Sequence, residues 1–168
     1  MAKKTTVKAV ALRYGTVGGD ATTPLMGVLK GLTVGQDEPD ATEIEAEFFD
    51  TPFDIFYDGN PVTLTFELAN YDLTELPALF GGSTSEDVYE GSASAYTTEH
   101  SWQLEFGRGN FALYIYKGLT VGTIKKDEDG ALNYSVTITA LMHEITTGEG
   151  AQAVTTQHMY KIIGTKPA

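Results

Sequence analysis

One six-residue string occurs twice in this chain. Lys30-Gly31-Leu32-Thr33-Val34-Gly35 returns as Lys117-Gly118-Leu119-Thr120-Val121-Gly122, an identical run that chance rarely produces within 168 residues. Each copy closes a strand-like stretch and is followed by a charged turn and a second strand-like stretch. The simplest expectation is two related β-hairpins in one domain. Such a chain is better suited to building a surface than to enclosing a catalytic pocket.

Several segments carry the period-two signature of a half-buried strand. Val62, Leu64, Phe66 and Leu68 alternate with Thr63, Thr65 and Glu67. Trp102, Leu104 and Phe106 alternate ahead of the turn Gly107-Arg108-Gly109-Asn110. Phe111, Leu113 and Ile115 alternate with Ala112, Tyr114 and Tyr116 and run into the second hexapeptide. The charged turn from Lys125 ends in Asp129-Gly130, a hairpin signal. The strand that returns over 132–141 puts Tyr134, Val136, Ile138 and Ala140 on one face and Ser135, Thr137 and Thr139 on the other. Further strands are expected over 5–14, 25–34 and 154–163. Nine Tyr, eight Phe and frequent Thr and Val supply strand formers, and eighteen Gly and six Pro punctuate them.

A single helix is expected after Leu73. Thr74 is its candidate cap, Glu75 suits its positive end and Pro77 fits the first turn. Leu73, Leu76, Leu79 and Phe80 form its apolar face, and Gly81-Gly82 stop it. Residues 83–99 read as a polar surface loop. The chain is therefore expected to be mainly β, with one short α-helix, in a single domain over 1–168. At this length a chain buries roughly 70% of its unfolded surface, enough for a proper core.

The formal net charge is −12. That balance opposes nucleic-acid binding by phosphate neutralisation, which needs clustered Lys and Arg. The acid is concentrated in residues 36–60, where nine Asp and Glu stand without one Lys or Arg. Glu43, Glu45 and Glu47 alternate with Ile44, Ala46 and Phe48, so a strand here presents three carboxylates on one face. Phe53 and Phe56 belong to the aromatic cluster that follows. Like charges spaced this way cost stability unless they are solvated or matched by basic groups. A segment this long between strands is commonly functional, although a solvated acidic loop is the plainer alternative.

Catalytic and metal chemistry find little support. The chain has no cysteine, which excludes disulfides and thiolate sites. His100, His143 and His158 are far apart in sequence and lack metal-ligand spacing. Residues 127–130 lack the ligand pattern of a calcium loop. There is no phosphate-binding loop and no nucleophile elbow. In so acidic a chain, a carboxylate pair of glycosidase type can be drawn almost anywhere and means nothing. No enzyme activity and no cofactor are expected. The run from Val7 to Leu12, broken by Lys8 and followed by Arg13, is too short and polar for a signal peptide or membrane span, so synthesis in the cytoplasm is expected.

The order of these pieces resembles that of phage major tail tube proteins. The resemblance is carried by the acidic segment over 35–59 and by Pro61-Val62-Thr63-Leu64-Thr65-Phe66-Glu67-Leu68-Ala69. The short helix ending Leu79-Phe80-Gly81-Gly82, the hairpin over 111–140 and a closing strand complete it. It covers most of the chain and rests on arrangement; residues 83–99 have no assigned place in it.

The resemblance implies a β-sandwich or half-barrel with one short flanking α-helix. Copies would join in hexameric rings into a closed β-barrel, and the rings would stack into a tube in a virion tail. DNA would pass through without specific binding. Baseplate, tape measure and terminator proteins would be partners, with no membrane. Thr63, Thr65, Glu67, Ser135, Thr137 and Thr139 then become candidates for the lumen wall, where carboxylates and hydroxyls would repel or hydrate passing phosphate. Leu32, Val34, Leu119 and Val121 mark the strands that would pair between subunits. Glu43, Glu45, Glu47, Phe53 and Phe56 would meet the next ring, with Lys125 or Lys126 of another subunit facing the carboxylates.

Two alternatives stay open. One is the tube of a contractile bacteriocin or secretion machine. The other is a monomeric β-sandwich that binds carbohydrate through Trp102 and the tyrosines.

Overall fold

Alternating apolar and polar residues dominate the chain, and in a computed structural model they form a mainly β fold with one short α-helix. The structure describes residues 9–25, 29–38, 40–44, 54–58, 60–68, 73–92, 97–106, 111–126 and 132–164. The first strands are β1 (Ala9–Gly15), the two-residue β2 (Thr23–Pro24) and β3 (Leu29–Gln36). Then come β4 (Asp40–Ile44), β5 (Asp54–Asp58), β6 (Val62–Leu68) and helix α1 (Leu76–Phe80). After the helix follow β7 (Ser83–Ser85), β8 (Val88–Glu90), β9 (Thr97–Phe106) and the long β10 (Phe111–Lys126). The last are β11 (Leu132–Leu141), β12 (His143–Thr147), β13 (Val154–His158) and β14 (Tyr160–Ile163).

One large antiparallel sheet holds the order β2-β1-β9-β10-β11-β6-β3, with β14 added beside β10. The strict alternation over Val62–Leu68 becomes strict alternation of burial, with Val62, Leu64, Phe66 and Leu68 all inside. On β11 the buried set is Tyr134, Val136, Ile138 and Ala140. These join Leu12, Trp102, Leu104, Leu113 and Ile115 from the other half of the sheet in one core cluster. β10 serves both halves. It lies against β14 over Ala112 to Ile115 and against β11 from Lys117 onward, with a bulge against β9 at Tyr116 and Lys117 between.

The helix begins at Leu76 with Glu75 at its N-cap position, so Thr74 stands one residue outside the expected cap. Leu76, Leu79 and Phe80 are buried, and Phe80 stacks on Tyr134 at 5.0 Å. Gly81 ends the helix at φ 70°, and its N–H donates to the Pro77 carbonyl at 2.9 Å. Residues 83–90 are not the loop expected from their polarity. They form the β7–β8 hairpin, turned at Glu86, whose φ is 50°. Its polar residues carry structure through hydrogen bonds rather than apolar burial. Thr84 donates to the Leu73 carbonyl at 2.8 Å and Tyr89 to the Gly81 carbonyl at 2.9 Å. Thr98 on β9 donates to the Leu79 carbonyl at 2.8 Å. The last carbonyls of a helix lack helical partners, and the Thr98 hydroxyl supplies one to Leu79; those of Thr84 and Tyr89 fasten the hairpin to the residues that flank the helix.

The stretch expected as one closing strand over 154–163 is two strands. β13 pairs with β12 as a separate hairpin, and β14 returns to β10. β4 and β5 likewise pair with each other, outside the main sheet, between β3 and β6.

Candidate functional site

β3, β6, β11 and β10 are successive neighbours in the sheet and alternate in direction. Their core-facing residues account for the buried set above. Their other face carries the six residues expected together from the sequence. Thr63 lies opposite Thr139, Thr65 opposite Thr137 and Glu67 opposite Ser135. All six are partly exposed, and none belongs to the core cluster. The row through Thr65 continues to Thr33 on β3 and to Val121 on β10. The hydroxyls of Thr33 and Thr65 are hydrogen-bonded to each other. The outcome is a broad hydroxylated surface, backed by the core.

That surface is not an acidic one. Glu67 forms an ion pair with Lys125 at 2.9 Å, and Glu99, opposite Leu119 on β9, pairs with Lys117 at 3.2 Å. Both carboxylates described on this face, Glu67 and Glu99, are matched by a lysine, so the face is close to neutral. Lys125 therefore has an acidic partner in its own chain.

The two hexapeptides lie on the strands expected, but in opposite phase. On β3 a bulge sets Gly31 and Leu32 against the single residue Phe66, between the pairs Lys30–Glu67 and Thr33–Thr65. Gly31 takes φ 66°, the left-handed conformation that this kind of bulge uses. Leu32 consequently packs against the core, and Val34 pairs with the core-facing Leu64. On β10 there is no such step against β11, so Leu119 and Val121 point outward beside Thr139 and Thr137. A shift of one residue turns a strand over.

The two strands also differ as pairing edges. β3 is the last strand of the sheet, bonded to β6 on one side, and no described strand lies on its other side. β10 at Leu119 and Val121 is bonded to β11 on one side and to β9 at Glu99 and Thr97 on the other. The expectation that Leu119 and Val121 pair with a neighbouring subunit does not hold, because their edges are filled from within the chain. Beyond Val121 no described residue pairs with β10 on the β9 side, the residues before Thr97 lying outside the described ones, while β10 continues with β11 to Lys126. Ile124, on the core side of β10 there, is 66% exposed.

Beside the β3 edge the sheet leaves an apolar cavity of about 330 Å³. Val34 and Val62 line it from one half of the sheet; Phe106, Leu113, Tyr160 and Ile162 line it from the other. The two halves therefore face each other there. Val34 is 43% exposed and Ile162 69%. Sequence reasoning did not find this cavity, because its walls come from β3, β6, β9, β10 and β14, and no local pattern links them.

In the acidic segment, β4 pairs with β5 so that Glu43 lies opposite Ile55 and Phe56 opposite Thr42. Glu45, Glu47 and Phe53 lie outside the described residues.

The histidines are not all isolated. His143 and His158 are cross-strand partners, and their rings lie 6.1 Å and 6.0 Å from that of Tyr116. Lys161 stands 4.6 Å above the Tyr114 ring. His100 lies within hydrogen-bonding distance of the Gly15 and Ala78 carbonyls, at 3.2 Å and 2.5 Å. Among the described residues no group of three or more His, Cys, Asp or Glu is arranged to hold a metal. None of their helices is long and apolar enough to cross a membrane. Trp102 is 1% exposed, and Tyr114 is buried too, which removes both from an exposed sugar platform. Comparison of the sequence with protein-family models and with curated proteins returns no match.

Proposed function

We propose that this chain is the building block of a phage-tail-like tube, a structural protein that polymerises as stacked hexameric rings around a DNA-conducting bore. The single observation that carries this reading is the four-strand unit β3-β6-β11-β10. It has a core on one face, a hydroxylated surface on the other and, at the β3 margin, a strand with no described neighbour on its outer side. A long unpaired edge is a liability in a monomer and an asset in a ring, where closure leaves no edge.

The strand directions suit rotational closure. Four alternating strands leave β3 and β10 antiparallel, so a rotated copy brings its β3 antiparallel to this copy's β10. Residues 122–126 of β10, which have no described partner on the β9 side, would receive it. Six such units give about twenty-four strands. At ~4.8 Å spacing and ~40° tilt, the circumference is roughly 150 Å and the backbone diameter about 48 Å. The domain would then be a sandwich or half-barrel that closes only on assembly. The neutral hydroxyl face would line the bore and hydrate passing DNA without holding it. The β4–β5 hairpin, with Glu43 and Phe56, would reach the next ring. Baseplate, tape measure and terminator proteins would be its partners in a virion tail.

Negative-stain images of the concentrated protein test the reading: rings or hollow fibres are expected, and a monodisperse monomer at every concentration would sink it. Val34→Lys should keep the fold and abolish fibres, since an edge lysine blocks strand addition. Deleting residues 40–57 should leave a folded protein that no longer stacks.

A further inference from the structure

Ile124 has the phase of a core residue and the exposure of a surface one. It lies opposite the buried Tyr134 on β11, so it faces the core side of the sheet, yet it is 66% exposed. At the far margin of the same four-strand unit is the apolar cavity of about 330 Å³. Val34 and Val62 wall it on one side, Leu113, Tyr160 and Ile162 on the other. Val34 also has the core-facing phase, since it lies opposite the buried Leu64, and it too is exposed. One margin thus presents an apolar side chain to water and the other an apolar hollow, and each gains by being covered.

Size, phase and length all match. An apolar cavity of about 150 Å³ holds benzene, so this larger one admits an isoleucine side chain. β3 and β10 run antiparallel within the unit. Rotating a copy about a ring axis keeps its core face on the same side, so a copy's β3 laid beside this copy's β10 brings Val34 and Ile124 to one face. Residues 122–126 are the stretch of β10 with no described partner on the β9 side. From Leu32, where its bulge ends, to Gln36, β3 offers a stretch of the same length.

We propose that Ile124 of one copy inserts into the cavity between Val34 and Ile162 of the next, so that each subunit's core is completed by its neighbour. With Ile124 opposite Val34, Gly122 falls opposite Gln36 and Lys126 opposite Leu32, and the two stretches pair end to end. The contact is heterologous: every subunit gives the side chain at one margin and receives it at the other. It deepens the tube reading and rests on it for the rotation that relates the copies. Backbone pairing alone would tolerate a slipped register; the inserted side chain fixes it, because a slip of one residue turns Ile124 to the hydroxylated face.

The chain contains no cysteine, so engineered thiols report cleanly. Directly opposite residues of an antiparallel pair lie ~4.5–5.5 Å apart, within reach of a disulfide. Inside one subunit the two positions are three strand spacings apart, about 14 Å, and out of reach. Oxidising an equal mixture of Val34→Cys and Ile124→Cys should therefore give a dimer on a non-reducing gel that neither variant gives alone. The double variant should give a ladder that stops at six. Ile124→Ala should leave the urea midpoint of the subunit nearly unchanged and raise the concentration needed for assembly about tenfold or more, the weight of one buried isoleucine. Ile124→Leu should recover most of that loss. A dimer of Val34→Cys with itself would mean that β3 edges meet each other, and would overturn the proposal. Fibres that form from the mixture without cross-linking would overturn it and leave the tube reading standing. A ladder that runs past six, with no hollow tube in micrographs, would uphold the contact and defeat the tube reading. A mixture that stays monomeric at every concentration would end both.

Discussion

Gly31 and Gly118 hold the same place in two identical hexapeptides and are needed for opposite reasons. Gly31 has φ 66° and nothing within 4 Å of the position a Cβ would take. Gly118 is buried, and a Cβ there would lie 2.7 Å from Ile138 Cγ2 and 2.7 Å from Trp102 Cδ1. Identical sequence has been put to two uses, a bulge on an edge strand and a close contact in the core. What differs is the surroundings of each copy, and those lie far away in sequence.

Alanine at each glycine should separate the two roles. Gly31→Ala meets only backbone strain, costing about 1–2 kcal/mol, while Gly118→Ala forces Trp102 or Ile138 aside at roughly 1–3 kcal/mol. The near-ultraviolet circular dichroism of Trp102 should change in Gly118→Ala and not in Gly31→Ala. Urea denaturation monitored at that band measures both. An unchanged spectrum and midpoint for Gly118→Ala would contradict the packing.

Adjacent residues on β11 should differ as sharply. Ile138 is 0% exposed and belongs to the core, so Ile138→Ala should cost about 2–5 kcal/mol. Thr137 lies on the hydroxylated face, and Thr137→Ala should stay within about 0.5 kcal/mol of the parent. Comparable losses at the two positions, measured by urea denaturation, would mean that the face called open is covered.

The contrast between Ile138 and Thr137 was legible from sequence, because period-two alternation is a local property and survives any tertiary context. So were the Val62–Leu68 strand and the helix ending at Gly81. The pairing of Thr65 with Thr137 was only half legible: the strands announced their faces, whereas their adjacency depends on the whole sheet order. The phase of the first hexapeptide was not legible. Gly31 was visible, but a bulge is decided by its partner strand, and nothing near Gly31 names Phe66 as that partner. The ion pairs of Glu67 and Glu99 were hidden for the same reason, since Lys125 and Lys117 lie on another strand. Polarity misled at Thr84 and Tyr89, whose hydroxyls serve backbone carbonyls and so look like loop residues in a hydropathy reading.

Stability should fall at high pH through the tyrosines. Burial raises the phenols of Tyr14, Tyr89 and Tyr114 above their ordinary 10.0. Glu75 adds to the effect at Tyr14; at Tyr114 the nearby Ser101 hydroxyl opposes it, and Tyr116 and Asp20 reinforce it. As pH rises, the unfolded chain gives up these protons first. Above the ordinary value the native state then holds more protons than the unfolded one, and stability falls with pH. The contribution is complete below that value and drains as pH climbs through the raised native titrations. The urea midpoint should therefore drop between about pH 9 and pH 11, and drop less in Tyr14→Phe, which removes one of the sites. Equal slopes for parent and variant would clear Tyr14 of any part in it.

The neutrality of the hydroxylated face gives the tube reading its sharpest consequence. With Glu67 matched by Lys125 and Glu99 by Lys117, the wall should neither attract nor strongly repel duplex DNA. One added positive charge per subunit would end that balance, because rotational symmetry repeats it around the ring. Thr137→Lys is the suitable change: the side chain is partly exposed, points away from the core and lies mid-strand on β11. Assembled Thr137→Lys tubes should sediment short duplex DNA at low salt and release it as salt rises, since such binding depends on displaced counterions and weakens steeply with ionic strength. The retained DNA should resist nuclease, because it lies inside. Parent tubes should sediment little. DNA held by the variant but fully open to nuclease would put residue 137 on the outer surface and exclude β6 and β11 from the bore.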